Sequence, residues 1–150
     1  ADRLVALIGA RVRTLNPVVV VDCGTAVTID LLDATGRHQG GWIVPGMALM
    51  GRALLGGTKA IESLGASGSP EGAFGRDTET GIRNGAAAAV GGAVERALRI
   101  AAERLGRAPE CLVTGGDGAN MAHFLGPRCE YVPDLLFSGL GRYAEETIEG

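Results

Sequence analysis

A chain of 150 residues, 46% hydrophobic and 21% charged, has the length and composition of one folded domain with a real core, which excludes disorder as its resting state. Its net charge of −3, without a long run of Lys or Arg, argues against a nucleic-acid surface or a polybasic membrane anchor. No apolar stretch approaches the roughly 20 residues of a membrane helix.

Asp2 to Arg13 places Leu4, Val5, Ile8 and Val12 at helical spacing, and Asn16-Pro17 ends the pattern. Val18 to Asp22 reads as a buried strand and Ala26 to Leu32 as a second, joined by a tight Cys23-Gly24-Thr25 turn. A turn at Ala34 to Arg37 leads to a third strand through Gly40, Gly41, Trp42, Ile43 and Val44. Pro45 suits the first position of a helix through Met47, Leu49, Met50, Ala53 and Leu54. Gly56 to Gly75 reads as a loop too long for a simple connection. A long Ala-rich helix is expected from Thr78 to Leu105, stopped at Gly106. Gly81, Gly85, Gly91 and Gly92 weaken its helix propensity, which argues for close packing there. Strand Cys111 to Val113, a helix through Met121 and Leu125, strand Cys129 to Val132 and a final helix from Leu135 to Ile148 complete the chain.

Three antiparallel strands followed by alternating helices and strands make an α/β unit of the ribonuclease-H-like kind, shared by actin, Hsp70 and sugar kinases. That unit usually occurs twice, with ATP between the copies, and one copy is counted here. Residues 1–15 are therefore expected to belong to a preceding domain and 16–150 to a C-terminal ribonuclease-H-like domain. The start at Ala1-Asp2-Arg3, without Met, fits a cut inside a longer protein.

Glycine is the compositional anomaly, at 25 of 150 residues against a usual ~7%. Glycines beside strands mark places where the backbone turns with positive φ or approaches a ligand. In Asp22-Cys23-Gly24-Thr25-Ala26-Val27-Thr28-Ile29-Asp30, the turn can aim N–H groups and the Thr25 hydroxyl at a phosphate. Asp22, ending a buried strand, can hold a cation, whereas Asp30 is expected to cap or pair. Gly40-Gly41-Trp42-Ile43-Val44-Pro45-Gly46 closes a strand into a helix and is expected mainly to pack. Val113-Thr114-Gly115-Gly116 ends a strand, where ligands of open α/β sheets collect.

Cys23, Cys111 and Cys129 are odd in number and form no CxxC pair, so small buried hydrophobes in a reducing, cytoplasmic compartment are expected. His38, in a turn, and His123, on a helix, are expected to be solvated or structural. With no G-x-S-x-G elbow, a Ser-His-Asp hydrolase is disfavoured.

Together these segments match one pattern. DCGTAVTID, GGWIVPGMALM, GRDTETGIRNG, TGGDG and LLFSGL resemble, in order and spacing, the signature blocks of the type III pantothenate kinases. The opening Ala1-Asp2-Arg3 is similar to the end of that family's G-x-D-R motif. The resemblance implies ATP-dependent phosphorylation of pantothenate, the first step of coenzyme A synthesis, by a homodimer using potassium or ammonium and magnesium with ATP. From charge and hydropathy, no nucleic-acid or membrane partner is expected. Asp2 matches the family's proton acceptor, and Ala1, Asp2, Arg3 and Thr78 match its pantothenate-binding positions. Gly24, Thr25 and Thr28 match the ATP-phosphate site, Gly115 and Gly116 line the adenosine site, and Asp22 matches the ligand of the monovalent cation.

Asp77 departs from the Asn expected before Thr78. A family phosphate loop, D-x-G-N-T, is also missing, so the chain reads as half a cleft and is expected to be inactive alone. Gly81, Gly85, Ala86 and Ala89 are the expected face toward the missing half or a second subunit. The alternatives are another kinase or phosphatase of the superfamily, or a non-catalytic transcriptional accessory factor, as some family members were first described.

Overall fold

The computed structural model describes residues 2–56 and 72–135. The expected helix from Leu135 to Ile148, apart from Leu135 itself, and most of the expected loop from Gly56 to Gly75 lie outside them. The elements in chain order are α1 (Asp2–Arg13), β1 (Val18–Cys23), β2 (Ala26–Leu32), β3 (His38–Pro45), α2 (Met47–Leu55), α3 (Thr78–Leu105), β4 (Glu110–Thr114), α4 (Gly118–Leu125) and β5 (Cys129–Tyr131).

The strands form one sheet in the order β3-β2-β1-β4-β5. β1, β2 and β3 run antiparallel, while β4 and β5 run parallel to β1. This is the ribonuclease-H-like arrangement. The centre falls to β1 because Val18, Val19, Val20 and Val21 are all buried, so both faces of this strand need cover. Asp33 shapes the β2–β3 turn. Its carboxylate accepts from the Thr35 and Arg37 backbone N–H groups at 2.9 and 3.0 Å and from Gln39 Nε2 at 2.7 Å.

Alternation along the strands divides the core in two. On one face Val19, Val21, Ile29, Cys111 and Val113 pack with Val90, Val94 and Leu98 of α3. On the other, Val18, Val20, Leu32 and Leu112 pack with Ala6, Leu7 and Ala10 of α1. The helix expected to belong to a preceding domain is thus seated on this sheet. The three cysteines are buried and unbridged, as hydrophobes would be.

Three details differ from expectation. Pro45 pairs with Ala26 as the last residue of β3, and Gly46 is the N-cap of α2. The Gly46 N–H donates to the Thr25 carbonyl at 2.8 Å, holding the chain extended one residue longer. Proline is accommodated because β3 is an edge strand. In α3, only Gly91 of the four glycines is tightly packed: a Cβ there would strike the Phe124 ring, whereas at Gly81, Gly85 and Gly92 it would meet nothing within 4 Å. Finally, His38 opens β3 rather than sitting in the turn.

Candidate active site

The central strands end in polar residues on the face that α1 covers. Asp22 lies opposite Thr28 of β2 on one side and Thr114 of β4 on the other. By alternation these three continue the face of Val18, Val20 and Leu112, which turns from apolar to polar at the carboxyl ends of β1 and β4. Thr114 is 1% exposed, and its hydroxyl has no hydrogen-bond partner among the described residues.

The turns that follow close on each other. Gly115 has φ +93°, and a Cβ there would stand 2.6 Å from Asp22 Oδ1 and 2.7 Å from the Cys23 nitrogen. The Asp117 N–H donates to the Cys23 carbonyl at 3.2 Å, tying the β4–α4 turn to the end of β1. Gly46 lies against the Gly24 and Thr25 carbonyls with equally little room for a side chain. The Asp22–Asp30 segment, the Gly40–Gly46 corner and the Thr114–Gly116 turn therefore meet, and Gly24, Thr25 and Gly116 are exposed around them.

Arg3, near the N-terminal end of α1, reaches the same face. It grips Asp30 with both forks, Nε to Oδ2 at 3.1 Å and Nη2 to Oδ1 at 2.5 Å. Asp30 is 3% exposed, and His38 Nε2 lies 2.8 Å from its Oδ1. Asp30 thus pairs, as expected of it, though its partners Arg3 and His38 come from the fold rather than from the sequence pattern. Asp2 stands in the first turn of α1, and Ala1 lies outside the described residues.

Thr78 is exposed at the start of α3, where it lines a groove of about 370 Å³ with Met50, Leu54, Gly81, Ile82 and Gly85. Asp77 caps that helix: its Oδ1 accepts from the Thr80 N–H at 2.8 Å and its Oδ2 from the Thr80 hydroxyl at 3.1 Å. These bonds, the backbone one foremost, lower the Asp77 pKa. The extra charge, relative to Asn, is held at a helix N-terminus, where it is favoured. Of the small residues expected on the open face of α3, Gly81, Gly85 and Ala89 are exposed, but Ala86 is buried in the core.

Cys23 is no nucleophile here. Burial first, then the charges of Asp22 and Asp117, push its thiol up to about 12, so it stays protonated near neutrality. Among the described residues no group of three or more His, Cys, Asp and Glu could hold a metal ion, and no helix is long and apolar enough to cross a membrane. Sequence reasoning placed Thr114 in a ligand-collecting strand end but gave its hydroxyl no role beside Asp22. Its signal is its place just before Gly115-Gly116, but its alignment with Asp22 depends on a pairing between strands far apart in the chain.

Comparison with known proteins identifies the family. Residues 1–100 match the family model of type III pantothenate kinase. The type III pantothenate kinase of Methylibium petroleiphilum is 43% identical over 148 residues, covering 93% of this chain and 56% of the relative. That of Thiobacillus denitrificans is 42% identical over 150 residues, covering 99% of this chain and 60% of the relative. The chain thus spans somewhat more than half the length of the curated relatives it matches. A crystal structure from Campylobacter jejuni, of a conserved protein described as a Baf family transcriptional activator, superposes with a TM-score of 0.69 at 25% identity. It is matched over 99% of this chain and 65% of that one. In sequence and in fold, this chain belongs to the type III pantothenate kinase family.

Proposed function

We propose that the protein carrying this chain transfers the γ-phosphoryl group of ATP to pantothenate, and that residues 1–150 supply one wall of the cleft. The observation that carries this reading is the closure of Gly115 onto Asp22 beside the exposed Thr25 turn.

Phosphoryl transfer passes through a loose transition state, so the protein contributes mainly positioning and charge neutralisation. The Gly24-Thr25 turn offers backbone N–H groups and a hydroxyl to the phosphates, and Thr28 stands next to it on β2. Gly115 and Gly116 leave bare backbone on which a nucleoside can lie. Asp2 is assigned the proton of the acceptor hydroxyl, while Arg3 and Thr78 are assigned contacts to pantothenate. A carboxylate of ordinary pKa, about 4, suffices, since the hydroxyl loses its proton late.

Asp22 and Thr114 fit a monovalent cation. Hard alkali ions take oxygen ligands, and the buried Thr114 hydroxyl, without a partner among the described residues, offers one beside the carboxylate. Potassium or ammonium would there offset the negative charge of the phosphates. Magnesium is assigned to the ATP phosphates. The groove at Thr78 is the proposed contact with a second subunit, and a reducing cytoplasm suits the three unbridged cysteines.

The test is turnover by the full-length protein with pantothenate, acetate, hexoses and polyphosphate as alternative acceptors. Potassium-stimulated phosphorylation of pantothenate alone is expected, and transfer to another acceptor instead would overturn the reading. A transcriptional role, as described for the Campylobacter jejuni protein, is not what a net charge of −3 without a long run of Lys or Arg favours.

A further inference from the structure

Asp30 sits where a charge is expensive to keep. It is 3% exposed within β2, beside the edge strand, and a buried carboxylate persists only when paired and hydrogen-bonded. Three features of the structure serve it. Arg3 meets both oxygens in a bidentate fork, and His38 Nε2 approaches Oδ1 at 2.8 Å. Behind the carboxylate lies Gly41, the cross-strand partner of Asp30, where a Cβ would collide with Oδ1 and the Ile29 carbonyl. The absence of a side chain at Gly41 is what lets the carboxylate lie in place.

The arrangement aims Arg3. Among the acceptor residues whose side chains are described, Arg3 is the one held by this sheet, and it remains 38% exposed beyond its fork with Asp30. A planar guanidinium bound through Nε and Nη2 cannot rotate, so its remaining Nη1 edge keeps one direction. The fork also ties the first turn of α1 to β2, and Asp2 is in that turn.

We propose that Asp30 is a positioning residue for the reaction: with His38 and Gly41 it orients Arg3, and through the first turn of α1 it locates Asp2 against the acceptor hydroxyl. This rests on the assignment of Asp2 and Arg3 to the acceptor site made above. Asp30 touches neither ATP nor pantothenate. It acts on the acceptor half of the site and leaves the nucleotide half, at Thr25 and Gly115, alone.

The experiment is a kinetic double-mutant cycle in the full-length protein. Asp30→Asn keeps the shape and loses the charge. It is expected to lower kcat/KM for pantothenate by up to about 100-fold, with the KM for ATP unchanged. In an Arg3→Ala background the same substitution should do little more, because its route of action is gone. Should Asp30→Asn fail to fold, Arg3→Lys decides: it retains the charge without the fork, and a comparable loss is expected. Independently of turnover, the Arg3 Nε–H resonance should be protected from exchange in the wild type and lose that protection in Asp30→Asn. Effects of Asp30→Asn and Arg3→Ala that multiply, an equal loss toward ATP, or a fully active Arg3→Lys would each overturn the inference. An inactive wild-type protein would instead overturn the proposed function on which it rests.

Discussion

Gly115 stands so close to Asp22 that a methyl group on it would lie 2.6 Å from the Asp22 carboxylate. The glycine also has φ +93°, in the left-handed region, where a side chain costs ~1–3 kcal/mol. Gly115→Ala should therefore destabilise the fold by at least that amount. It should also weaken potassium stimulation of the full-length protein, because the carboxylate must move. Thermal denaturation and a potassium titration of the rate check the two parts separately.

Asp2→Asn and Thr25→Val should separate the two halves of the proposed site. Losing a positioned base costs ~10²–10⁴-fold in rate, so Asp2→Asn should abolish most turnover while ATP still binds. Thr25 is exposed, so Thr25→Val should spare the fold and raise the KM for ATP or lower kcat. Steady-state kinetics with calorimetric ATP binding distinguishes them. Near-normal turnover by Asp2→Asn would remove it as the base.

Adjacent glycines of α3 should respond in opposite directions. At Gly92 a Cβ meets open space, and Gly92→Ala should stabilise by up to ~1 kcal/mol through helix propensity. At Gly91 the added methyl meets the Phe124 ring, and Gly91→Ala should be net destabilising. Chemical denaturation of the two variants reads the difference.

The β2–β3 turn should carry an acid-sensitive share of stability. Hydrogen bonds from Thr35 first, then Arg37 and Gln39, hold the Asp33 carboxyl at about 2. The folded value lies below the ordinary ~3.9, so the contribution is present above about pH 4 and is lost as pH falls toward 2. Wild type should exceed Asp33→Asn in stability at pH 6, and the gap should close between pH 4 and 2. A gap independent of pH would show that the carboxylate charge plays no part.

How legible the molecule was depended on the range over which each signal acts. The valines of β1, the β-branched run of β2 and the long α3 were readable because periodicity and burial are local properties. The motif at Asp22 to Thr25 was readable from its residue types. Thr114 beside Asp22, and Arg3 on Asp30, were not, since each depends on tertiary pairing that no local pattern encodes. Pro45 and Ala86 were misplaced for a related reason. Proline suits a helix start or an edge strand equally, and alanine is silent about which face of a helix is inward.

The sheet order carries a consequence for how the protein assembles in time. β1, β2 and β3 form a continuous meander whose pairings close only short loops, whereas β4 joins β1 across the whole of α2 and α3. Closing the longer loop carries the larger entropic penalty and is rewarded only once both strands meet. The meander should thus form the nucleus, with β4 and β5 adding after the rate-limiting barrier. Truncations such as Ile29→Val should then slow refolding, while Leu112→Ala should chiefly hasten unfolding. Asp22 meets Thr28 with the meander, but Thr114 joins them only at that second stage, so the polar row is completed late in folding and broken early in unfolding.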